Sequence, residues 1–289
     1  MTRSAAAADR DTPVRPRRFT ADDRVWVSLG LYAALAVTVG LPLVLMFLWS
    51  TAQRWSPPGL LPGRYTLAHW TRILGDDSMI EAVVSSVLIA LTVTALTAVV
   101  SVPTAWALAK FPMRAKRLIE IFILAPLIVP GVVVAVGLGE VFLRLGLMYT
   151  FAGVVLVQMV GTLPLMIRLL VAAFETMPDE LLHAARCLGA SPWRAFVHVV
   201  LPLSVPALLA GGLLSFVASF EEFDKSFVVG APAVQTLPIL LYQYLDPYSL
   251  QFPLASVVAI VLLIPALVIF LVAGRIMRDD VLAAGMGKV

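Results

Sequence analysis

The segment that decides the fold reads FETMPDELLHAARCLGASPWRAFVHVVLP, from Phe174 to Pro202. It is a polar break between two apolar stretches, at 152–173 and 203–221. Most of the chain has the pattern of apolar helices and short loops, whereas this segment holds two short helical patterns separated by a glycine. Such an arrangement is typical of a docking element and does not suggest a catalytic site.

The composition around this segment is that of an integral membrane protein. Of the 289 residues, 60% are hydrophobic and 13% are charged, against about 45–50% and about 25% in soluble domains. The apolar residues form blocks close to the roughly 20 residues that cross a bilayer as a helix. We therefore predict an all-α, polytopic membrane protein with six transmembrane helices, at 25–49, 82–109, 118–142, 152–173, 203–221 and 252–274.

Lysine and arginine are distributed unequally between the two sides of these spans. Sixteen lie in the N-terminal tail, the 110–117 loop, the 168–202 loop and the C-terminal tail. The opposite side has five: Arg54, Arg64, Arg72, Arg144 and Lys225. Because these residues concentrate on the cytoplasmic side, both termini and the 174–202 loop are predicted to be cytoplasmic. Membrane topology also accounts for the net charge of +3, which gives no support for binding to nucleic acid.

The spans and tails predict a simple domain organisation. Residues 1–24 are rich in Ala, Arg, Asp and Pro and are predicted to be a disordered cytoplasmic tail. A first transmembrane anchor helix at 25–50 follows; it is too long for the apolar part of a signal peptide. An outer loop at 51–81 leads to the membrane core at 82–274, which contains the loop 174–202. Residues 275–289 form a second cytoplasmic tail.

The 174–202 segment also predicts its own local structure. Thr176 is expected to cap a helix that runs to about Leu188, and Gly189 to end it with a positive φ. Ser191 and Pro192 are expected to begin a second short helix, and Pro202 to mark the start of the fifth span. Three- and four-residue spacing predicts one apolar face on the first helix, formed by Leu181, Ala184, Ala185 and Leu188.

The pattern His-Ala-Ala-x3-Gly-x9-Val-x-Leu-Pro at 183–202 closely resembles the EAA signature of ABC-importer permeases, Glu-Ala-Ala-x3-Gly-x9-Ile-x-Leu-Pro. The spacing matches throughout, and the loop precedes the last two spans, as in that family. The resemblance covers roughly residues 60–275 and implies a MetI-like permease fold. The chain departs from the signature at His183, which replaces Glu, and at Val199, which replaces Ile.

In the family that it resembles, this loop is the coupling helix that docks on the ATP-binding subunit. The resemblance implies close approach at Ala184 and Ala185, a bend at Gly189, and the return to the membrane at Leu201 and Pro202. The loss of the carboxylate at His183 puts one polar contact with the ATPase in doubt. Asp179 or Glu180, one turn upstream, would be a partial substitute.

The resemblance also implies the partners. The chain would be the permease subunit of a binding-protein-dependent importer in the bacterial cytoplasmic membrane, supplying half of the path for a solute. The complete importer would also contain two ATP-binding subunits, a second permease subunit and an extracytoplasmic solute-binding protein. The permease subunits would lie in the lipid bilayer. The departure at His183 favours a different second permease, hence a heterodimer. The chain itself would be no enzyme and hold no cofactor, because it has no Walker A motif and its partners would bind the ATP.

Polar residues in or beside the spans are candidates for the solute path, because such residues are costly in a membrane. The candidates are Gln158 in the fourth span and Glu221, Glu222 and Asp224 at the outer end of the fifth. The acidic cluster, which continues with Lys225, could equally mark the exit from the membrane, and Gln158 could join two helices. Pro126, Pro130-Gly131 and Pro164 are expected to interrupt the third and fourth spans.

The substrate stays open at the level of sequence. The run SFEEFDK at 219–225 and the segment QTLP at 235–238 resemble spermidine/putrescine and phosphonate permeases more than sugar permeases. A polyamine-like solute is therefore preferred, followed by a phosphonate or other organic anion, and then by a sugar. Two other classes are a secondary transporter with a proton site at Glu140, Glu221 or Glu222, and a structural membrane scaffold.

Overall fold

A computed structural model describes residues 21–55, 59–248 and 251–286. These residues are helical apart from turns, loops and one isolated antiparallel bridge between Ala52 and Tyr65. The α-helices are α1 (Ala21–Thr51), α2 (Ala68–Leu74), α3 (Asp77–Lys110), α4 (Lys116–Leu124), α5 (Gly131–Arg144), α6 (Phe151–Glu175), α7 (Asp179–Cys187), α8 (Pro192–Ala195), α9 (Leu201–Phe220), α10 (Asp224–Gly230), α11 (Leu237–Tyr244) and α12 (Phe252–Met286). A 3₁₀ turn occupies Ala125–Leu127 and a π turn Phe196–Val200.

The chain divides into two compact units, Met1–Met46 and Phe47–Val289. The described part of the first unit is the greater part of α1, and the large apolar side chains of its residues 28–45 are exposed. This helix begins at Ala21, four residues before the predicted span. The first 20 residues of the predicted tail, and the last three of the C-terminal tail, lie outside the described residues.

Five helical stretches of the described residues are long and apolar enough to cross a membrane: Ser28–Thr51, Asp77–Lys110, Phe151–Glu175, Pro192–Phe220 and Phe252–Ile269. A sixth crossing exists if the pair Lys116–Ile128 and Gly131–Arg144 is one span, but the two halves are bent by 106°. The predicted all-helical, polytopic fold is confirmed.

Prolines affect the third and fourth predicted spans differently. The predicted break at Pro130-Gly131 is confirmed, since the 3₁₀ turn ends at Leu127 and α5 begins at Gly131. Pro130 has no N–H to donate, and its ring disfavours helical backbone at the preceding residue. The predicted break at Pro164 is wrong: α6 continues through this residue. Pro164 is buried against neighbouring helices, and such packing accommodates a proline inside a membrane helix.

The core of the second unit lies where α3, α6 and α9 pack together. The buried positions of α3 recur every three or four residues along one stripe, as helical geometry requires of a helix with one packed face. They are Met79, Ala82, Ser86, Ile89, Ala90, Val93, Thr97, Ser101, Ala105 and Leu108. On α9, a Cβ at Gly211 would lie 3.2 Å from Met166 on α6, so the absent side chain lets these two helices approach closely.

The segment 222–251, which links the fifth and sixth predicted spans, is not an irregular loop: half of its residues are helical. It contains α10 and α11, which pack against α5 and α6 and against α3 and α12, respectively. Leu237, Ile239 and Leu240 of α11 are buried, as is Val229 of α10. These short helices are too brief to be recognised by hydropathy, but they complete the core and position the polar groups described below.

Candidate coupling loop and polar cavity

The first helix of the 174–202 loop, α7, is built by local signals at both ends. Asp179 and Glu180 lie in its first turn, where negative charge stabilises the helix. The predicted cap at Thr176 is wrong: its hydroxyl donates to Ala173 of α6 at 2.9 Å, and Pro178 occupies the capping position. Pro178 cannot cap by a side-chain hydrogen bond, so charge and the fixed φ of proline begin this helix.

The end of α7 follows the prediction for Gly189. This residue has a φ of +81°, which glycine adopts without the steric cost that a Cβ brings. Its N–H donates to Arg186 at 2.9 Å, and the next N–H, of Ala190, donates to Ala185 at 3.0 Å. These two bonds form a Schellman motif, which satisfies the last carbonyls of the helix.

The second short helix also starts as predicted. The Ser191 hydroxyl accepts from the Arg194 N–H at 3.3 Å, and Pro192 is the first helical residue. This helix does not stop before the predicted span, because it continues through the π turn into α9 and reaches Phe220 as one stretch of 29 residues. The entry into the membrane at Pro202 stays a prediction. α8 is therefore continuous with the helix that contains α9.

The loop is fixed to α3 by polar and aromatic contacts. The Lys110 ammonium, at the end of α3, donates to the Met177 carbonyl at 2.8 Å and to the Asp179 carboxylate at 2.6 Å. One turn earlier on α3, the Trp106 ring packs edge-on against Phe174 and Phe196, with centroids 5.3 and 5.6 Å apart. Both ends of the loop are thus held by one helix.

The Lys110 ammonium lowers the pKa of the Asp179 carboxyl, first by its hydrogen bond and then by its charge; burial opposes this effect, and the charge of His183 supports it least. Because the folded state has the lower pKa, the ion pair stabilises the fold above the unfolded pKa of about 3.9. This stabilisation is lost as the pH falls through the folded-state pKa. The contact therefore persists at physiological pH.

Replacing Asp179 with Asn is expected to release α7 from α3 at neutral pH. The one cysteine of the chain, Cys187, is exposed on α7, so a nitroxide on it reports the mobility of this helix by electron paramagnetic resonance. The label should be more mobile in Asp179→Asn than in the unsubstituted protein. In the unsubstituted protein, the mobility of the label should be constant from pH 8 to 5 and increase only below about pH 4. Glu140→Gln, which removes an exposed carboxylate far along the chain, is the control. Equal mobility in both variants would contradict the role of the Lys110 contact.

One side of the loop is apolar and exposed. No residue of α7 is buried, and Leu181 and Leu188 are 42% and 89% exposed. Trp193 on α8 is 72% exposed. Ala184, Glu180, His183 and Pro202 are also exposed, whereas Ala185 and Leu201 are half-buried. The predicted apolar face of α7 is therefore mostly exposed, since of its four residues only Ala185 is half-buried.

A second feature is a polar cavity of about 190 Å³ among α5, α6, α9 and α10. Its polar lining is Gln158, Thr162, Ser219, Glu222 and Lys225. The Gln158 side chain is 2% exposed; its amide donates to Ser226 at 2.7 Å, and its carbonyl accepts from Ser219. Beside it, the Lys225 ammonium donates to the Glu222 carboxylate.

The structure brings together two of the four predicted path residues, Gln158 and Glu222. Glu221 is exposed outside the cavity, and Asp224 is half-buried beside the start of α5. Sequence reasoning missed the role of Lys225, which it counted as an outer-loop charge. The signal was present in the chain, because a lysine three residues after Glu222 is at the spacing of an i,i+3 pair.

Comparison with known proteins identifies the family. Residues 101–278 match the family described as binding-protein-dependent transport system inner membrane component. The chain belongs to this family. It is accordingly the permease of a binding-protein-dependent ABC importer, a non-catalytic multi-pass component of the inner membrane that works with ATPase subunits and a solute-binding protein. This membership excludes the proton-coupled secondary transporter and the scaffold considered from sequence.

Relatives of this permease carry different solutes. The sulfoquinovosyl glycerol transport system permease protein SmoH of Agrobacterium fabrum is 29% identical over 226 residues, which cover 78% of this chain and 79% of that protein. The spermidine/putrescine transport system permease protein PotC of Escherichia coli is 26% identical over 215 residues, which cover 74% and 81%. These relatives are therefore named for chemically different solutes.

Solved structures support the fold. A bacterial ABC transporter involved in the import of the acidic polysaccharide alginate matches with a TM-score of 0.70 at 18% identity, covering 90% of this chain and 99% of that one. The MetNI methionine ABC transporter, in an inward-facing conformation, matches with a TM-score of 0.55 at 21% identity, covering 71% and 98%. The MetI-like fold predicted from the sequence is thereby confirmed.

Proposed function

We propose that this permease receives the movement of its ATPase subunit at α7 and α8 and passes it to a solute path lined by Gln158 and Glu222. The observation that carries the proposal is the exposed apolar face of α7, with Leu188 at 89% exposure. A leucine on a short, unburied helix contributes no packing to its own chain. Burying it against a partner would contribute about 1.5–3 kcal/mol.

The contacts behind this face support transmission of the movement. Lys110 and Trp106 attach the loop to α3, and α8 continues into α9 without a break. Because α3 and α9 both pack against α6, a force on the loop reaches three membrane helices. A packed core shifts between discrete arrangements and does not deform continuously, so this connection suits a switch between outward- and inward-facing states.

The proposed assembly contains two ATPase subunits and a second permease that differs from this one. His183 supports the heterodimer. It is exposed on α7 and stands where the family signature has a glutamate, so the two coupling loops would make different polar contacts. Asp179 is held by Lys110, which leaves Glu180 as the better substitute for the missing carboxylate.

The proposed substrate is a small polar solute that passes the cavity beside Gln158 and Glu222. Relatives named for sulfoquinovosyl glycerol and for spermidine and putrescine are about equally similar to this chain, so similarity alone does not choose between a sugar derivative and a polyamine. The polar lining of the cavity suits a solute that forms several hydrogen bonds.

The docking proposal is tested by replacing Gly189 with Trp. Nothing lies within 4 Å of a Cβ at Gly189, but its φ of +81° strains any other residue, so α7 should turn away from its partner. We expect normal amounts of permease in the membrane, with loss of ATPase co-purification and of uptake.

Gly146→Trp is a matched control, because Gly146 also has a positive φ (+68°) and open space around its Cβ, but follows α5. The control should keep its ATPase subunits. The docking assignment would be wrong if the Gly189 variant retained both ATPase binding and uptake, or if both variants lost the ATPase equally.

A further inference from the structure

Lys225 is a buried cation inside the polar cavity. It is 9% exposed, although lysine is almost never buried without a partner. Its ammonium nitrogen lies 3.3 Å from the position of a Cβ at Gly131 and 3.5 Å from that of a Cβ at Gly161. Two glycines, at the start of α5 and inside α6, therefore leave space for the charged end of this side chain.

The polar groups at this site differ in how many of their hydrogen-bonding positions are occupied. Both Glu222 oxygens accept from Lys225, one from the ammonium and one from the backbone N–H at 3.0 Å. Both polar atoms of the Gln158 amide are also occupied, by Ser226 and Ser219. The ammonium has three hydrogens, and Glu222 is its sole acceptor among the described residues. The cavity thus offers unused N–H donors beside a carboxylate that has lone pairs to spare.

We propose that this cavity binds one uncharged, hydroxyl-rich unit of the solute, with neighbouring hydroxyls bridging Lys225 and Glu222. A hydroxyl both donates and accepts, so one hydroxyl accepts from the ammonium while the next donates to the carboxylate. The ion pair stays intact and the cavity gains no charge. This inference rests on the proposed solute path and replaces its open choice of substrate with a sugar or polyol unit.

Charge balance favours an uncharged solute over a cation or an anion. Lys225 and Glu222 neutralise each other, so an anion bound at the ammonium, or a cation bound at the carboxylate, leaves one excess charge in a cavity of low dielectric. Burying an unpaired charge costs far more than burying a hydroxyl that forms hydrogen bonds. A neutral solute forms the same number of hydrogen bonds without this penalty.

Asp224 is a further carboxylate near this ion pair. One of its oxygens lies 3.2 Å from the Cβ position of Gly131, the first residue of α5, and the Lys225 ammonium lies 3.3 Å from the same position. The positive end of the helix dipole, about half a charge, offsets part of its negative charge. Asp224 is also outside the lining of the cavity. The volume of about 190 Å³ is below the roughly 300–1,000 Å³ of drug-sized ligand sites, which limits the site to one small unit of a solute.

The test is saturation-transfer NMR on the intact importer in lipid nanodiscs, without its solute-binding protein. The probes are D-glucose, myo-inositol and glycerol as neutral polyols, putrescine as a cation and methylphosphonate as an anion. We expect saturation of a polyol and none of the two ions. The double variant Lys225→Met/Glu222→Met removes both charges and preserves volume, and it should reduce the polyol signal at least tenfold while the ATPase subunits still co-purify.

A matched control is Glu140→Met/Arg144→Met, which removes an exposed i,i+4 ion pair outside the cavity and should leave the polyol signal unchanged. The inference is overturned if no polyol binds, if the signal survives the double variant of the cavity, or if putrescine or methylphosphonate binds in its place. Failure of the docking proposal can be told apart from failure of this inference. In the first case Gly189→Trp keeps its ATPase subunits, whatever the NMR experiment shows.

Discussion

Lys225→Met alone is expected to lower the free energy of unfolding by about 3 kcal/mol, more than the double substitution of the same ion pair. The single change leaves the Glu222 carboxylate, whose side chain is 18% exposed, inside the protein without its counter-charge. Breaking a buried pair by removing one partner strongly destabilises, whereas replacing both by apolar groups of similar size is often neutral. The double methionine variant should therefore recover most of the loss.

A double-mutant cycle on purified permease measures this prediction. The four proteins are the unsubstituted chain, Lys225→Met, Glu222→Met and the double variant, and the measured quantity is the free energy of unfolding in detergent. The exposed pair Glu140–Arg144 provides a parallel cycle, in which a coupling energy below about 1 kcal/mol is expected. If the two cycles gave equal coupling energies, Lys225 would not be buried in the way that the cavity argument requires.

Leu188→Glu is expected to weaken association with the ATPase subunit at least about 100-fold. The lost apolar burial removes about 1.5–3 kcal/mol, and the new carboxylate must also be desolvated at the contact, which adds to the cost. Each 1.4 kcal/mol changes the affinity about tenfold. The fold should be unaffected, because Leu188 is 89% exposed. Co-purification of the ATPase with tagged permease and uptake into cells are the two measurements.

Leu60→Glu is the matched control for this change. Leu60 is 91% exposed and lies in the loop that follows the first span, which charge placement puts on the opposite side of the membrane. The same substitution there should leave ATPase association intact. If Leu188→Glu retained the ATPase, the docking role of α7 would be contradicted. Trp193 on α8 would then be the next candidate for the docking contact.

Much of the coupling loop could be predicted from the sequence because its signals are local. Gly189 needs a positive φ, and Ser191 with Pro192 starts a helix, whatever lies around them. The cap at Thr176 was predicted wrongly for a related reason: α6 continues to Glu175, and the Thr176 hydroxyl bonds backward to that helix. Capping propensity does not say which of two neighbouring helices a residue serves.

The cavity was less predictable. Gln158 and Glu222 were selected as polar residues in or beside apolar spans, but hydropathy assigned Lys225 to an outer loop because α10 is only seven residues long. Its burial depends on the glycines of α5 and α6, which lie far from it in sequence. Hydropathy therefore identified the polar residues and not their association.

The sequence by itself determined that this chain is an all-helical membrane protein with a polar, helix-forming loop between its fourth and fifth spans. These properties depend on hydrophobic length, charge placement and spacing within one helix, all of which are read along the chain. Only the tertiary structure decided the size of the bend at Pro130, which is 106°, the attachment of the loop through Lys110, and the pairing inside the cavity. The bonds from Lys110 to Asp179 and from Gln158 to Ser226 join residues 69 and 68 positions apart, and such contacts form only when folding brings α3 close to α7 and α6 close to α10.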